Sequence, residues 1–469
     1  MEYFFYLLIF LIPYLALSPW QKLLGVPTGV IYACLVALFV LGMIIQKPRL
    51  IRWSGLKQTP LIVPLGIFLA VNLASMLRIL VIKGLAGLQS NNVKELGFLI
   101  FAIVFYWAVV NFIDNQEKWR NSLLALIVTS TAASLYGIGR LILYLLGSPL
   151  GQAQPWTVPR LVGTAGESQV FGGLIITILP FLVALVLYKS KCFKGPLTYL
   201  AAAVMLLALI MTFGAGPWAG FAVSMVFLAL WVHYYNLKQA VSVVLVFSAV
   251  FLCVVIIDRA VYPNYAEGFT SISQKITGQA PPPENFQGRE TFTVLQKSGS
   301  PVKPSGSSPV KQSKDTVYVE SVFSKVERSW FRAALVNMFK SSPVLGVGPG
   351  NFEYLYNDFR PPGTPSPPYV PKPHNQYLEI MAETGLVGLL AFGYVVLSIV
   401  VSLVLNWPGV STENKKLLLG LTASLIAVGV HGYAFGILVH IQVWLLPILM
   451  LSLVKIDRDF GPGLDFRQV

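Results

Sequence analysis

Long apolar runs, broken by short polar loops, dominate the chain. Runs near residues 3–19, 27–46, 60–81, 95–114, 122–147 and 169–188 are each long enough to cross the hydrocarbon core of a bilayer. A second set follows near 197–213, 217–235, 240–258, 384–406, 415–434 and 436–454. The pattern predicts an all-α polytopic membrane protein of about twelve transmembrane helices, because a backbone in lipid must satisfy its own hydrogen bonds. Around Gly214-Ala215-Gly216-Pro217 a tight turn and a broken helix fit equally well, since Pro removes a donor and Gly weakens a helix. The first run carries Glu2, has no basic stretch before it and lacks a small-residue cleavage site, so it is expected to be a retained helix.

Between the ninth and tenth runs lies one long polar segment, residues 259–383. Its part from 276 to 315 is rich in Pro, Ser, Gly, Gln and Lys and is expected to be disordered, having too few apolar side chains to offset the entropy of ordering. From Val317 to Lys340 the apolar positions Val322, Val326, Trp330, Leu335, Met338 and Phe339 recur at helical spacing, which predicts a helix lying on the outer membrane surface. Basic residues sort the loops. Lys47, Arg49, Arg52, Lys57, Lys118, Arg120, Lys189, Lys191, Lys194, Lys238, Lys415, Lys416, Lys455 and Arg458 all fall on one side, which is expected to be cytoplasmic. Both termini are then inside, and the long segment is extracytoplasmic. The expected divisions are an N-terminal bundle of about nine helices (1–258), the extracytoplasmic loop (259–383), the last helices (384–455) and a cytoplasmic tail (456–469).

Composition agrees with a lipid environment: 469 residues, 55% hydrophobic, 12% charged and mean hydropathy +0.69 exclude an ordinary soluble domain. The net charge of +14 would suggest nucleic acid in a soluble protein, but here it reflects basic cytoplasmic loops, and no nucleic-acid partner is expected. Cys34 and Cys253 lie in apolar runs and Cys192 in a short basic loop. No ligand spacing joins them, so neither a disulfide nor a zinc site is expected.

The candidate chemistry is basic and gathers at the outer ends of the runs. Arg78 ends the third, Lys94 opens the fourth, Arg140 sits inside the fifth, Arg160 follows in the next outer loop, and Arg328 and Arg332 lie one turn apart on the outer helix. An arginine within a span costs several kcal/mol unless it is hydrated or paired, and the spans hold almost no internal carboxylate to pair with it. An anion from outside is the expected partner, and phosphate suits the guanidinium fork. His374 lies in the outer segment and suits general-base work near neutral pH. Asn375 is placed to cap the helix that follows. Gly346-Val-Gly-Pro-Gly350 follows no strand and lacks a Walker Lys-Ser/Thr, so it reads as a turn. His374, Glu379 and Glu383 do not match zincin spacing, and no metal site or cofactor is expected.

Arg328, the run PVLGVGPGNF from Pro343, HNQYLE from His374 and ETGLVG from Glu383 together resemble the signature of the bacterial O-antigen ligase and O-antigen polymerase (Wzy-type) superfamily. Weaker similarities extend over RLVGT from Arg160, Leu179-Pro180, residues 212–220 and His431. The resemblance implies an inner-membrane glycosyltransferase, acting outside the membrane on an undecaprenyl-pyrophosphate-linked glycan without nucleotide sugar and without metal. It implies a glycan or lipid acceptor, His374 as activator of the acceptor hydroxyl, and Arg328 and Arg160 as holders of the pyrophosphate. Arg140, Arg332, Arg78, Asn375 and His431 are the further expected substrate contacts. One position departs from the pattern: many members have an arginine where this chain has Ala215, so Arg140, Arg78 or Arg332 takes over that charge or the reaction has diverged. A transporter of a small anion such as bicarbonate is the alternative of another class, although no repeat or midplane carboxylate supports it. An inactive scaffold is the third.

Overall fold

In the computed structural model the described residues are 1–14, 28–46, 60–154, 159–190, 192–193, 195–235, 314–364, 372–438 and 440–460. The chain divides into two units, residues 1–244 with 325–469, and residues 245–324; every candidate site residue belongs to the first. The predicted ninth span and nearly all of the stretch expected to be disordered lie outside the described residues.

Fourteen α-helices are described. They are α1 (Glu2–Leu11), α2 (Thr28–Gln46), α3 (Ile62–Lys83), α4 (Ser90–Phe112), α5 (Gln116–Leu145), α6 (Ser168–Ile176), α7 (Leu179–Leu187), α8 (Pro196–Met211), α9 (Ala215–Tyr235), α10 (Lys314–Ser341), α11 (Phe352–Phe359), α12 (Gln376–Asn406), α13 (Thr412–Gly432) and α14 (Ile441–Phe460). Six helical stretches among the described residues are long and apolar enough to cross a membrane: Ile62–Ile82, Ser90–Phe112, Gln116–Leu145, Ser168–Leu187, Gln376–Gly409 and Thr412–Gly432. Shorter apolar helices occupy Glu2–Tyr14, Val30–Gln46, Pro196–Met211 and Ala215–Trp231. The protein is therefore an all-α membrane protein.

The faces of α12 show how the sequence sorts lipid from protein. Ala391, Val395 and Ile399 recur every four residues and are buried, whereas Leu386, Leu390, Leu397, Val401 and Val404 are exposed. α12 packs on α3, α9 on α13, and α13 on α7. Proline and glycine set the breaks. The sixth predicted span is two helices joined at Thr177–Ile178, with Pro180 in the first turn of the second, where its missing N–H costs nothing. At Gly214 the turn is real: α8 ends at Met211 and α9 starts at Ala215, while Thr212 Oγ1 donates to the Leu209 carbonyl at 2.7 Å.

The glycine-rich stretch joins three spans. Val347 and Gly348 donate their N–H groups to the carbonyls of Ala382 and Glu383 at 3.0 and 2.8 Å, and the Leu386 N–H reaches the Pro343 carbonyl at 2.8 Å. Ser75 of α3 donates to the Leu345 carbonyl at 2.6 Å, Arg78 Nη1 to the Gly346 carbonyl at 2.8 Å, and Asn92 of α4 to Asn351 Oδ1 at 2.9 Å. The close approach needs glycine on both sides. Gly346 has φ +68°, and a Cβ there would lie 2.2 Å from the Glu383 carbonyl carbon; Gly385 has φ +69° and interrupts α12 opposite Val344.

Gly346→Ala should therefore lower the thermal unfolding temperature in detergent far more than Gly363→Ala. Gly363 has φ +78° but open space around its Cβ, so its substitution carries only the left-handed penalty of about 1–2 kcal/mol. Equal shifts for the two variants would show that the contact with α12 does not hold the turn.

Helix α10, expected on the outer membrane surface, differs from expectation. Its apolar face is not turned to the membrane over the residues whose side chains are described: Phe331, Ala334, Leu335 and Met338 pack against Val347, Phe352, Tyr356 and Ala382. Burial against protein, not lipid, fixes the helix, and with it Arg328 and Arg332, which lie one turn apart along the edge of that face.

Candidate functional site

Phe331 is the hinge between this small core and the site. Its ring lies nearly parallel to that of His374, with centroids 6.3 Å apart, and edge-on to Tyr356 at 5.1 Å. His374 itself has φ +50°, a left-handed conformation uncommon outside glycine. The next residue returns to extended backbone and starts α12, with Asn375 Oδ1 accepting the Leu378 N–H at 3.0 Å, so the expected cap is present. The strained residue thus sits immediately before a capped helix, and packing against Phe331 and Phe435 holds its ring.

Three arginines converge on this point. The Arg160 guanidinium is pushed down to about 10 by burial and by the charge of Arg328. Arg328 is lowered by burial and by Arg332, against partial relief from Glu327 and Glu167. Arg160 reaches the cluster from a loop tied at both ends. Its backbone pairs with Gln154 in both directions at 3.0 and 3.1 Å, and the neighbouring Leu161 N–H bonds the Met211 carbonyl at 2.9 Å. Crowded like charges carry a cost that an anion would cancel. His374 feels the same field: burial first, then Arg328 and Lys372, lower its imidazole to about 4, so it is neutral at neutral pH.

On its other side His374 lines a cavity of about 290 Å3. Five glutamates, Glu95, Glu167, Glu353, Glu379 and Glu383, line the same cavity, with Lys372 as the one lysine or arginine among the lining residues. Glu95, Glu379 and Glu383 bring carboxylate oxygens within 4.8 Å of one another. The site is therefore bipolar, with guanidinium groups toward α10 and carboxylates toward α4 and α12, and His374 belongs to both halves.

The remaining sequence-predicted residues fall elsewhere. Arg78 lines a separate cavity with Gln89, Asn351 and Tyr354, and its hydrogen bond to Gly346 braces the turn. Arg140 donates from its two terminal nitrogens to Tyr136 Oη at 3.3 Å and to Gln152 Oε1 at 3.4 Å, neutral groups of its own neighbourhood, while its buried Nε has no hydrogen-bond partner. His431 is 2% exposed and lies parallel to Phe435 at 5.6 Å. Phe435 also faces His374 and His440, so three imidazoles share one phenyl ring. Ala215 opens α9 and lines a cavity with Tyr377 and Tyr433; Arg332 stands over the Tyr433 ring at 5.1 Å.

Sequence reasoning missed the carboxylates. Glu95, five residues into an apolar span, is the available signal, because an acidic side chain there has to be explained by a partner. Gln376 was missed too. Its Oε1 accepts the N–H groups of Ile437 and Leu438 at 2.8 and 2.9 Å, which turns its amide nitrogen toward Glu379 Oε2 at 3.2 Å.

No curated protein matches the chain. Residues 200–393 match the family described as O-antigen ligase. That segment runs from α8 into α12 and holds Arg328, the glycine-rich turn, His374 and two of the three converging carboxylates. Over this segment the chain is similar to the O-antigen ligases, which supports a membrane glycan-processing role in polysaccharide biosynthesis.

Proposed function

We propose that this protein transfers or polymerises an undecaprenyl-pyrophosphate-linked glycan on the extracytoplasmic face of a bacterial inner membrane. The observation that carries the reading is the position of His374, neutral and held between an arginine cluster and a carboxylate-lined cavity. The pyrophosphate lies against Arg328, Arg160 and Arg332, and the acceptor sugar enters the cavity. The unprotonated nitrogen of His374 takes the proton of the acceptor hydroxyl as its oxygen bonds to the anomeric carbon. The bond from that carbon to the pyrophosphate oxygen breaks, and the lipid pyrophosphate leaves with the electron pair, its charge stabilised by the arginines. The step uses side chains alone, in keeping with the metal-free transfer that the resemblance implies. Arg332 substitutes for the missing arginine at position 215, because the ring it covers lines the cavity that Ala215 opens.

The test is surface-polysaccharide electrophoresis on a deletion strain complemented with the wild-type protein. Single repeat units that regain a ladder only with the protein identify a polymerase, and full-length chains stranded on the lipid carrier identify a ligase. An unchanged glycan profile together with impaired bicarbonate uptake would replace this reading with the transporter.

A further inference from the structure

The geometry points to a site for a hard divalent cation such as Ca2+ formed by Glu95, Glu379 and Glu383, on the side of the cavity away from the arginines. The site would hold the acceptor side of the cavity together and would not touch the pyrophosphate, so it goes beyond the transfer chemistry and does not depend on it.

Three features support it. First, the carboxylate oxygens lie within 4.8 Å of one another. Three protein carboxylates suit Ca2+, which takes many protein oxygens in flexible geometry, better than Mg2+, which keeps several of its waters. Second, the ligands are oriented from behind, as metal ligands are. Both oxygens of Glu383 accept backbone N–H groups, from Gly350 at 2.8 Å and Phe352 at 3.0 Å, and Glu379 is fixed by Gln376, whose own amide is pinned by Ile437 and Leu438. These bonds hold the side chains in place and leave further lone pairs for an ion.

Third, His440 lines the same cavity, and its Nε2 is buried with no hydrogen-bond partner, while the ring bonds the Gly436 backbone. A buried imidazole nitrogen of this kind calls for a donor. Water carried by a hydrated cation supplies one, whereas ionised carboxylates supply only acceptors. Charge points the same way: five glutamates and one lysine line the cavity, and uncompensated charge in such a place is costly.

The probe is Tb3+, an oxygen-seeking ion close to Ca2+ in size, added to the metal-stripped full-length protein in detergent. Trp444 lines the cavity and should sensitise the bound ion. Saturable tryptophan-excited emission is expected, displaced by Ca2+ at lower concentration than by Mg2+. It should weaken at least about tenfold in affinity in Glu379→Gln and, separately, in Glu95→Gln. Trp444→Phe should remove most of the emission while Ca2+ still raises the unfolding temperature, which locates the ion independently of the carboxylate variants. Absence of saturable emission, or emission that survives both glutamine substitutions, would overturn the site and leave the carboxylates to share protons. Because the readout is binding, a His374→Ala variant that loses glycan transfer yet binds Tb3+ normally separates this proposal from the catalytic one.

Discussion

His374→Ala should lower glycan transfer by about 10²–10⁴-fold with little change in the unfolding temperature, the range expected for loss of a positioned general base. The pH dependence of the wild-type protein carries the more specific expectation. Burial, Arg328 and Lys372 hold the His374 imidazole at about 4 in the free protein, against an ordinary value of 6.5. A lowered value means that the basic form persists to low pH, so kcat/KM should stay flat above about pH 5 and fall as pH drops through about 4. The same shift makes the folded state bind its proton later than the unfolded chain. The stability contribution of this residue is therefore complete above pH 6.5 and is lost as pH falls toward about 4. Such a weak base has little driving force for accepting a proton. Binding of the pyrophosphate remedies this, because its negative charge cancels the field of Arg328 and moves the imidazole back toward its ordinary value. The acid limb of kcat, which reports the substrate complex, should accordingly lie above that of kcat/KM. Coincident limbs would show that the arginine cluster is not where the diphosphate binds.

How much of this was legible in the sequence depends on the distance over which each signal acts. The apolar runs are long and their polar breaks sharp, so described helices lie at eleven of the twelve predicted spans. Asn375 as a cap and the glycines as a turn were readable because capping and left-handed backbone are local chemistry. The assembly of the candidate site residues is not local. Arg78, Arg140 and Arg328 look alike along the chain, yet Arg78 braces Gly346, Arg140 donates to Tyr136 and Gln152, and of the three it is Arg328 whose charge acts on His374. Helical periodicity tells which face is apolar but not which helix covers it. For the same reason the face of α10 reads as lipid-facing from its sequence although it covers the glycine-rich turn, and Glu95 could not be joined to Glu379 and Glu383.

Arg328 should separate activity from stability in the direction opposite to Arg78. In the free protein its guanidinium is desolvated and repelled by Arg332, and it in turn destabilises Arg160. Removing it relieves these costs, so Arg328→Ala should unfold at the wild-type temperature or above it. The transfer rate should nevertheless fall by about 10²–10³-fold, the range for losing one preorganised group at a developing negative charge. Arg328→Lys should recover only part of that loss, because an ammonium is a point charge without the fork that grips two phosphate oxygens. A further readout links the two halves of the site. With Arg328 replaced by alanine, the stronger of the two charges that depress the His374 imidazole is gone, so the acid limb of kcat/KM should move up from about 4 toward 6.5. Arg78→Ala supplies the contrast: it removes the hydrogen bond to the Gly346 carbonyl and should lower the unfolding temperature, while the acid limb stays in place. If Arg328→Ala instead lost stability and left the limb unmoved, the arginine would be bracing the fold, and the charge logic that assigns it to the leaving pyrophosphate would fail.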